Sequence, residues 1–276
     1  MSTAALRIVL GGAAVDLMEF EPAVEHIIAQ AQQPGDSPLA VASVNLDHIK
    51  HFGTNGPWAR VFADSVVGDH TSAGSQRRLN WLSLLDGAPL VNQARRVTGQ
   101  QWPRLAGSDL IAPLLEQAAE RQIRIGFLGG SPETHELLKQ KLAEARPDLL
   151  VVGWWAPARA ALSDQGASLA IAGEIAQARV DILVVGLGKP RQELWIAEYG
   201  ALTGAGVLLA FGAVVDFLAG RIVRAPQWVS AHGLEWAWRL GLEPRRLARR
   251  YLIDGPPAYA HVRLDSSGTV HQPSGH

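Results

Sequence analysis

Between residues 123 and 210 the chain repeats one unit: a short apolar run, a turn, then a stretch of helical length. Strands are expected over 123–128, 149–152, 182–185 and 207–210, with helices over 132–145, 168–178 and 191–199 between them. Strands that alternate with helices across short loops form right-handed crossovers, and these build a parallel sheet. The pattern therefore restricts the chain to an α/β fold, a Rossmann-like parallel sheet flanked by helices. Open sheets of this kind bind ligands beyond the carboxyl ends of their strands. Polar residues that follow a strand directly are the first candidates for function.

Two turns of the repeating half fit that place. In Phe127-Leu128-Gly129-Gly130-Ser131-Pro132-Glu133 a strand meets a helix start through a glycine pair, where Gly129 and Gly130 offer backbone N–H groups to phosphate or another anion. The full dinucleotide fingerprint is missing, and the next strand leads to Trp154 rather than an acidic residue, which disfavours an oxidoreductase. In Gly186-Leu187-Gly188-Lys189-Pro190-Arg191-Gln192-Glu193, Lys189 adds charge at the mouth of a helix. Pro190 and Glu193 also suit an ordinary helix start.

The first half is less regular. A strand is expected over 6–10, a helix over 21–33 ended by Pro34-Gly35-Asp36, and a strand over 39–44 that runs into Ser43-Val44-Asn45. Asn45 either caps the helix that begins at Leu46 or lines a site. His48 and His51 lie one helical turn apart beside Asp47 without further ligands, so surface histidines are expected and no metal. A short strand over 65–68 exits at Asp69, just before a helix start at Thr71. That carboxylate either caps the helix or serves as a general base. Ser108 and Asp109 make a helix start for 110–121, with Arg104 placed to reach a cleft.

The stretch from Phe211 to Leu252 has a different character. Asp216, Arg221 and Arg224 fall in a loop closed by Pro226. A tryptophan-rich helix follows, with Leu234, Trp238 and Leu242 on one face, and then a basic helix carrying Arg245, Arg246, Arg249 and Arg250. Guanidinium forks suit phosphate oxygens. Positive charge collects here although the net charge of the 276 residues is only −1, which gives no reason to expect a nucleic-acid partner. Hydrophobic residues make up 47%, enough for a large core, and the absence of cysteine excludes disulfides and fits a cytosolic protein. The opening residues lack a basic leader, and no uncharged apolar run reaches the roughly 18–20 residues that span a bilayer, so membrane contact is expected to be peripheral. Trp228, Trp236 and Trp238 either mark an interfacial surface or pack in the core, where Trp238 is expected. The expected division is an α/β core over 1–220, a helical basic appendage over 221–253 that completes the site, and a disordered tail over 254–276.

The stretch 211–252 closely resembles the C-terminal signature of bacterial WecG/TagA/CpsF glycosyltransferases. The likeness rests on Asp216 through Arg224-Ala225-Pro226, on Gly233-Leu234-Glu235-Trp236, and on Glu243-Pro244-Arg245-Arg246 through Arg250-Tyr251. Ser43-Val44-Asn45 is similar to the family's Thr-x-Asn motif, and Ala63-Asp64…Gly68-Asp69 to its Ala-Asp…Asp-Gly motif. Arg104 to Leu110 and Gly186 to Glu193 resemble two further blocks. Ser43 stands for a threonine and keeps the hydroxyl. His70 stands for the glycine after the aspartate, adds a titratable group and resists positive φ.

The resemblance implies transfer of a sugar (N-acetylmannosamine, its uronic acid or glucose) from a UDP-sugar to a polyprenyl-diphosphate-linked glycan, with inversion. Asp69 would be the base, and Ser43 and Asn45 would orient a sugar. Lys189 would contact phosphate, and Gln192 and Glu193 the base or ribose. No Asp-x-Asp pair is present to hold a metal, so Arg104, Lys189, Arg221 and Arg224 are expected to neutralise the departing diphosphate, with no cofactor beyond the donor. Arg245, Arg246, Arg249 and Arg250 either fold over the cleft or face anionic lipid at the inner face of the plasma membrane. The alternative is a non-catalytic nucleotide-sugar or lipid-binding relative, disabled at His70.

Overall fold

One nine-stranded sheet carries the structure, a computed structural model that describes residues 6–35, 37–63, 79–221, 235–242 and 244–271. The strands are β1 (Leu6–Leu10), β2 (Ala13–Leu17), β3 (Leu39–Val44), β4 (Asn80–Leu85), β5 (Ile125–Gly129), β6 (Val151–Trp155), β7 (Ile182–Gly186), β8 (Val207–Ala210) and β9 (Ser266–His271). Across the sheet they run β6-β5-β7-β8-β3-β4-β2-β1-β9. Strand β1 is antiparallel to both of its neighbours, and every other pairing is parallel.

Side chains alternate across the sheet, as strand geometry requires. Leu39 and Val41 face a core built with α1 (Phe20–Gln32), α5 (Gly107–Glu120), α6 (Pro132–Ala145) and α9 (Val214–Leu218). Ala40 and Ala42 face the opposite core, built with α2 (Leu46–Phe52), α3 (Arg60–Ala63), α7 (Gln165–Ala178) and α8 (Arg191–Tyr199). The chain leaves β5 and β8 toward the first layer, and β7 and β3 toward the second. Neighbouring loops therefore diverge at their carboxyl ends and leave a crevice there.

The repeating half follows its pattern closely, with α6, α8 and β8 at the expected bounds and β6 ending at Trp155, beyond the expected 152. The first half holds two strands that no expectation covered. Strand β2 returns from β1 through Gly11 and Gly12, both at positive φ. Strand β4 is inserted between β3 and β2, in register with β3 from Leu39↔Asn80 to Val44↔Leu85. Asp16 on β2 is buried and accepts from Arg7 Nε at 2.6 Å and from the Ser83 amide at 2.8 Å, which ties β1, β2 and β4 together. The helix α4 (Ala88–Thr98) follows β4.

Within the expected tail, residues 255–264 form a helix and 266–271 a strand. Gly255–Leu264 is a helix with its prolines in the first turn, where a missing N–H costs nothing. Ala258 and Val262, one turn apart, bury against Ile49 and the β1–β2 hairpin. Strand β9 then pairs with β1 and extends the sheet. Composition rich in Gly and Pro concealed this i, i+4 apolar pair. The expected strand at 65–68, with Asp69 and His70, lies outside the described residues, as do Arg224 and Trp228.

Candidate active site

The crevice gathers the loops after β3, β4, β5, β7 and β8. Strand β3 ends at Val44, and Asn45 begins the turn into α2. Its side chain does not cap that helix. Its Nδ2 instead donates to Asp86 Oδ2 at 3.1 Å, and its Oδ1 is buried with no partner among the described residues. Of the two readings for Asn45, the structure removes the cap. Ser43 is buried, and its hydroxyl donates weakly to the Leu105 carbonyl at 3.4 Å.

Asp86 is the functional candidate that sequence reasoning missed. It follows β4 directly, and its amide donates to the Val44 carbonyl at 2.9 Å, so β3 and β4 fix its backbone together. Gly87 comes next with φ +85°, a conformation that side-chain-bearing residues rarely adopt. An Asp-Gly pair at a strand exit thus has a physical reason for its glycine. Asp86-Gly87 supplies that pair intact, whereas Asp69-His70 does not. The signal was available: the apolar run Trp81–Leu85 ends in Asp-Gly.

Lys189 lies at the opening of α8, beyond β7. Its Nζ donates to the Ser43 carbonyl at 2.8 Å, reaching past the end of β8 to β3. Gln192 and Glu193 do not face the crevice as expected; both are 0% exposed. Gln192 donates to the Ala210 carbonyl at 2.7 Å and accepts from the Gly188 amide at 3.1 Å, so it shapes the loop. Glu193 lies 3.4 Å from His48 Nε2, and burial pushes its carboxyl up from 4.5 to about 7, against the pull of Lys189. His48 is likewise buried rather than on the surface, because its face of α2 packs toward Phe52 and Phe62.

A second cluster forms after β5. Gly129 has φ +103° and presses on the Gly186 carbonyl, leaving no room for a side chain. Gly130 follows, close to Val215 of α9. Ser131 caps α6 by accepting from the Thr134 amide at 3.2 Å. Arg221 Nη1 donates to Thr134 Oγ1 at 2.7 Å, and Thr134 reaches toward Asp216 Oδ1 at 3.5 Å. Gly130 therefore shares one end of the crevice with Asp216 and Arg221, which lie far from it in sequence.

Arg104 pairs with Asp109 at 2.7 Å, on a stretch that the Leu105 amide anchors to the Leu85 carbonyl. Asp109 does not cap α5, which starts at Gly107; it lies in the first turn and orients Arg104. In the C-terminal stretch Glu235–Leu242 and Pro244–Ala248 are helical, and Arg245 and Arg249 are exposed. Trp238 is half-buried, while the side chains of Trp236, Arg246 and Arg250 lie outside the described set.

A carboxylate–amide pair and a hydroxyl–guanidinium cluster thus both lie at the carboxyl edge of an open α/β sheet, where such sheets bind ligands. A family model of the Glycosyl transferase WecG/TagA/CpsF family matches residues 8–269, and the chain belongs to that family. It is 30% identical over 180 residues to the N-acetylglucosaminyldiphosphoundecaprenol N-acetyl-beta-D-mannosaminyltransferase of Bacillus subtilis (strain 168), covering 64% of this chain and 66% of the relative. The protein of the same name from Bacillus spizizenii (strain ATCC 23059 / NRRL B-14472 / W23) is 28% identical over 170 residues, covering 62% and 64%. The chain thus spans just under two thirds of the length of these relatives.

Proposed function

We propose that the protein is an inverting, metal-independent glycosyltransferase that moves a sugar from a UDP-sugar to a polyprenyl-diphosphate-linked acceptor in cell-envelope polysaccharide synthesis. N-acetylmannosamine, the sugar named in both relatives, is the proposed cargo. The observation that carries this reading is the Asp86–Asn45 pair at the carboxyl edge, beside the loop that holds Lys189.

In this reading Asp86 takes the proton of the acceptor hydroxyl. That oxygen attacks the anomeric carbon, the bond to the UDP oxygen breaks on the opposite side, and the electron pair leaves with UDP. Asn45, whose Oδ1 has no partner among the described residues, orients a sugar hydroxyl. Lys189, Arg221 and Arg104 oppose the charge that grows on the diphosphate, the task a metal performs in enzymes with an Asp-x-Asp pair. Arg224, Arg246 and Arg250 are proposed to join them from the C-terminal stretch.

Residues 242–264 present Leu242, Leu252, Ile253, Tyr259 and Leu264 to solvent beside Arg245, Arg249 and Arg263. Apolar side chains mixed with cations suit an anionic membrane surface, where a lipid-linked acceptor resides. No helix among the described residues is long and apolar enough to cross a membrane. The proposed location is the inner face of the plasma membrane.

The deciding experiment compares Asp86→Asn with Asp69→Asn, measuring UDP release and UDP binding with and without EDTA. Asp86→Asn is expected to lose about 10²–10⁴-fold in transfer while still binding UDP. Loss confined to Asp69→Asn would return the base to Asp69, and inactivation by EDTA would end the metal-free scheme.

A further inference from the structure

We infer that His48 and Glu193 are positioning residues that hold the β3–α2 and β7–α8 loops at a working separation around the ligand. The ligand's identity rests on the proposed function; the loop geometry does not.

The two loops are not neighbours. Strand β8 lies between β7 and β3, so no ladder bond joins them. Lys189 ties them at one point, by its bond to the Ser43 carbonyl. His48 and Glu193, both essentially without solvent exposure, tie them at another, with Nε2 3.4 Å from Oε1. Gln192 closes the third side, donating to Glu193 Oε1 at 2.9 Å and to the Ala210 carbonyl of β8 at 2.7 Å. One buried polar chain thus links the ends of β7, β8 and β3.

Stability alone does not call for this chain. A buried imidazole and carboxyl give up their hydration, and an apolar pair of similar volume is usually as stable or more so. His48 already packs among rings, 5.2 Å from Phe52 and 5.5 Å from Phe62 between centroids, so a phenylalanine would complete the same core. Glu193 Oε2 is buried with no partner among the described residues, which a core selected for packing would avoid. A polar, charge-dependent contact between the loops is what an apolar pair cannot supply.

The charged and titratable groups facing the carboxyl are Lys189 from its own loop, and Asp47 and His48 from α2; Asp47 in turn lies 3.7 Å from His51. Among the described residues, β8 offers the Ala210 carbonyl through Gln192, and α3 the Phe62 ring against His48. Burial brings the carboxyl to about 7, so its charge, and with it the pull on Lys189, changes near neutral pH. A pH profile therefore reports on positioning in a way that simple support would not.

The test measures transfer and UDP binding across about pH 5.5 to 8.5 for the wild type, Glu193→Gln, Glu193→Leu and His48→Phe, with melting as the check on folding. The Leu and Phe variants are expected to fold and to lose about 10- to 100-fold in kcat/KM, the scale of a misplacement of about 1 Å. Glu193→Gln should retain more activity than Glu193→Leu and lose the inflection near neutrality that the wild type shows. Amide exchange at Gly188 should quicken in Glu193→Leu whatever the sugar, which separates a failed substrate assignment from failed positioning. Folded Leu and Phe variants with wild-type kcat/KM would overturn the inference. So would identical pH profiles for the wild type and Glu193→Gln, which decide alone if Glu193→Leu does not fold.

Discussion

The two ends of the crevice are built differently. At the acidic end Asn45 and Asp86 follow directly on adjacent parallel strands, with the Asp86 amide held by the Val44 carbonyl and the two side chains by each other. At the cationic end Arg221 extends from an exposed turn after α9 and is held by the hydroxyl of Thr134. Removing a proton demands a fixed distance and angle, and rigid strand ends provide them. Opposing a spread-out diphosphate charge demands only nearness, because Coulomb attraction falls slowly with distance. The cationic end can therefore be looser without loss.

Substitutions test that contrast. The largest effect is expected at Asp86, as described above, with binding spared. Next, Arg221→Ala is expected to weaken UDP binding about 10- to 100-fold, the range for a lost hydrogen bond to a charged group. Arg221→Lys should recover most of it, since position matters less there; calorimetry with UDP would show this, and a Lys variant as weak as the Ala variant would mean the geometry is strict after all.

A smaller effect concerns stability. The folded chain keeps the Glu193 proton up to about 7, while the unfolded chain releases it near 4.5. Between those values the folded state binds more protons, so stability falls as pH rises from about 4.5 to about 7. Urea melts should show the decline, and Glu193→Gln should flatten it. The smallest effect is expected for Ser131→Ala, which removes the cap of α6 at a cost of about 1 kcal/mol. Melting should register that loss while UDP affinity barely moves, marking Ser131 as scaffold and Arg221 as ligand contact.

The same contrast bears on what could be read before the fold was known. Strands β5, β7 and β8 are buried on both faces, so each reads as an unbroken apolar run, with amphipathic helices on either side. The turns carrying Gly130 and Lys189 follow from that regularity, whereas Arg221 was read from the separate stretch after Phe211. Strand β4 carries Asn80 at its start and Ser83 within it, and a run that short is ambiguous by periodicity even with the amphipathic α4 behind it. With β4 unread, Asp86 had no strand to exit from. Gln192 and Glu193 failed differently: their residue types suggest ligand contact, and only packing shows that they point inward. The helix within the expected tail was concealed because a two-residue apolar face is too small a signal against Gly, Pro and Ser.

Strand β1 meets β2 across a tight two-glycine turn but meets β9 only after nearly the whole chain has intervened. During synthesis that margin stays uncovered until β9 emerges from the ribosome, with bare N–H and C=O groups open to a stray strand from another nascent chain. Arg7 of β1 reaches the other way, to Asp16 of β2 and the Trp81 carbonyl of β4, so that margin has no charge of its own from Arg7 to deter a stray strand.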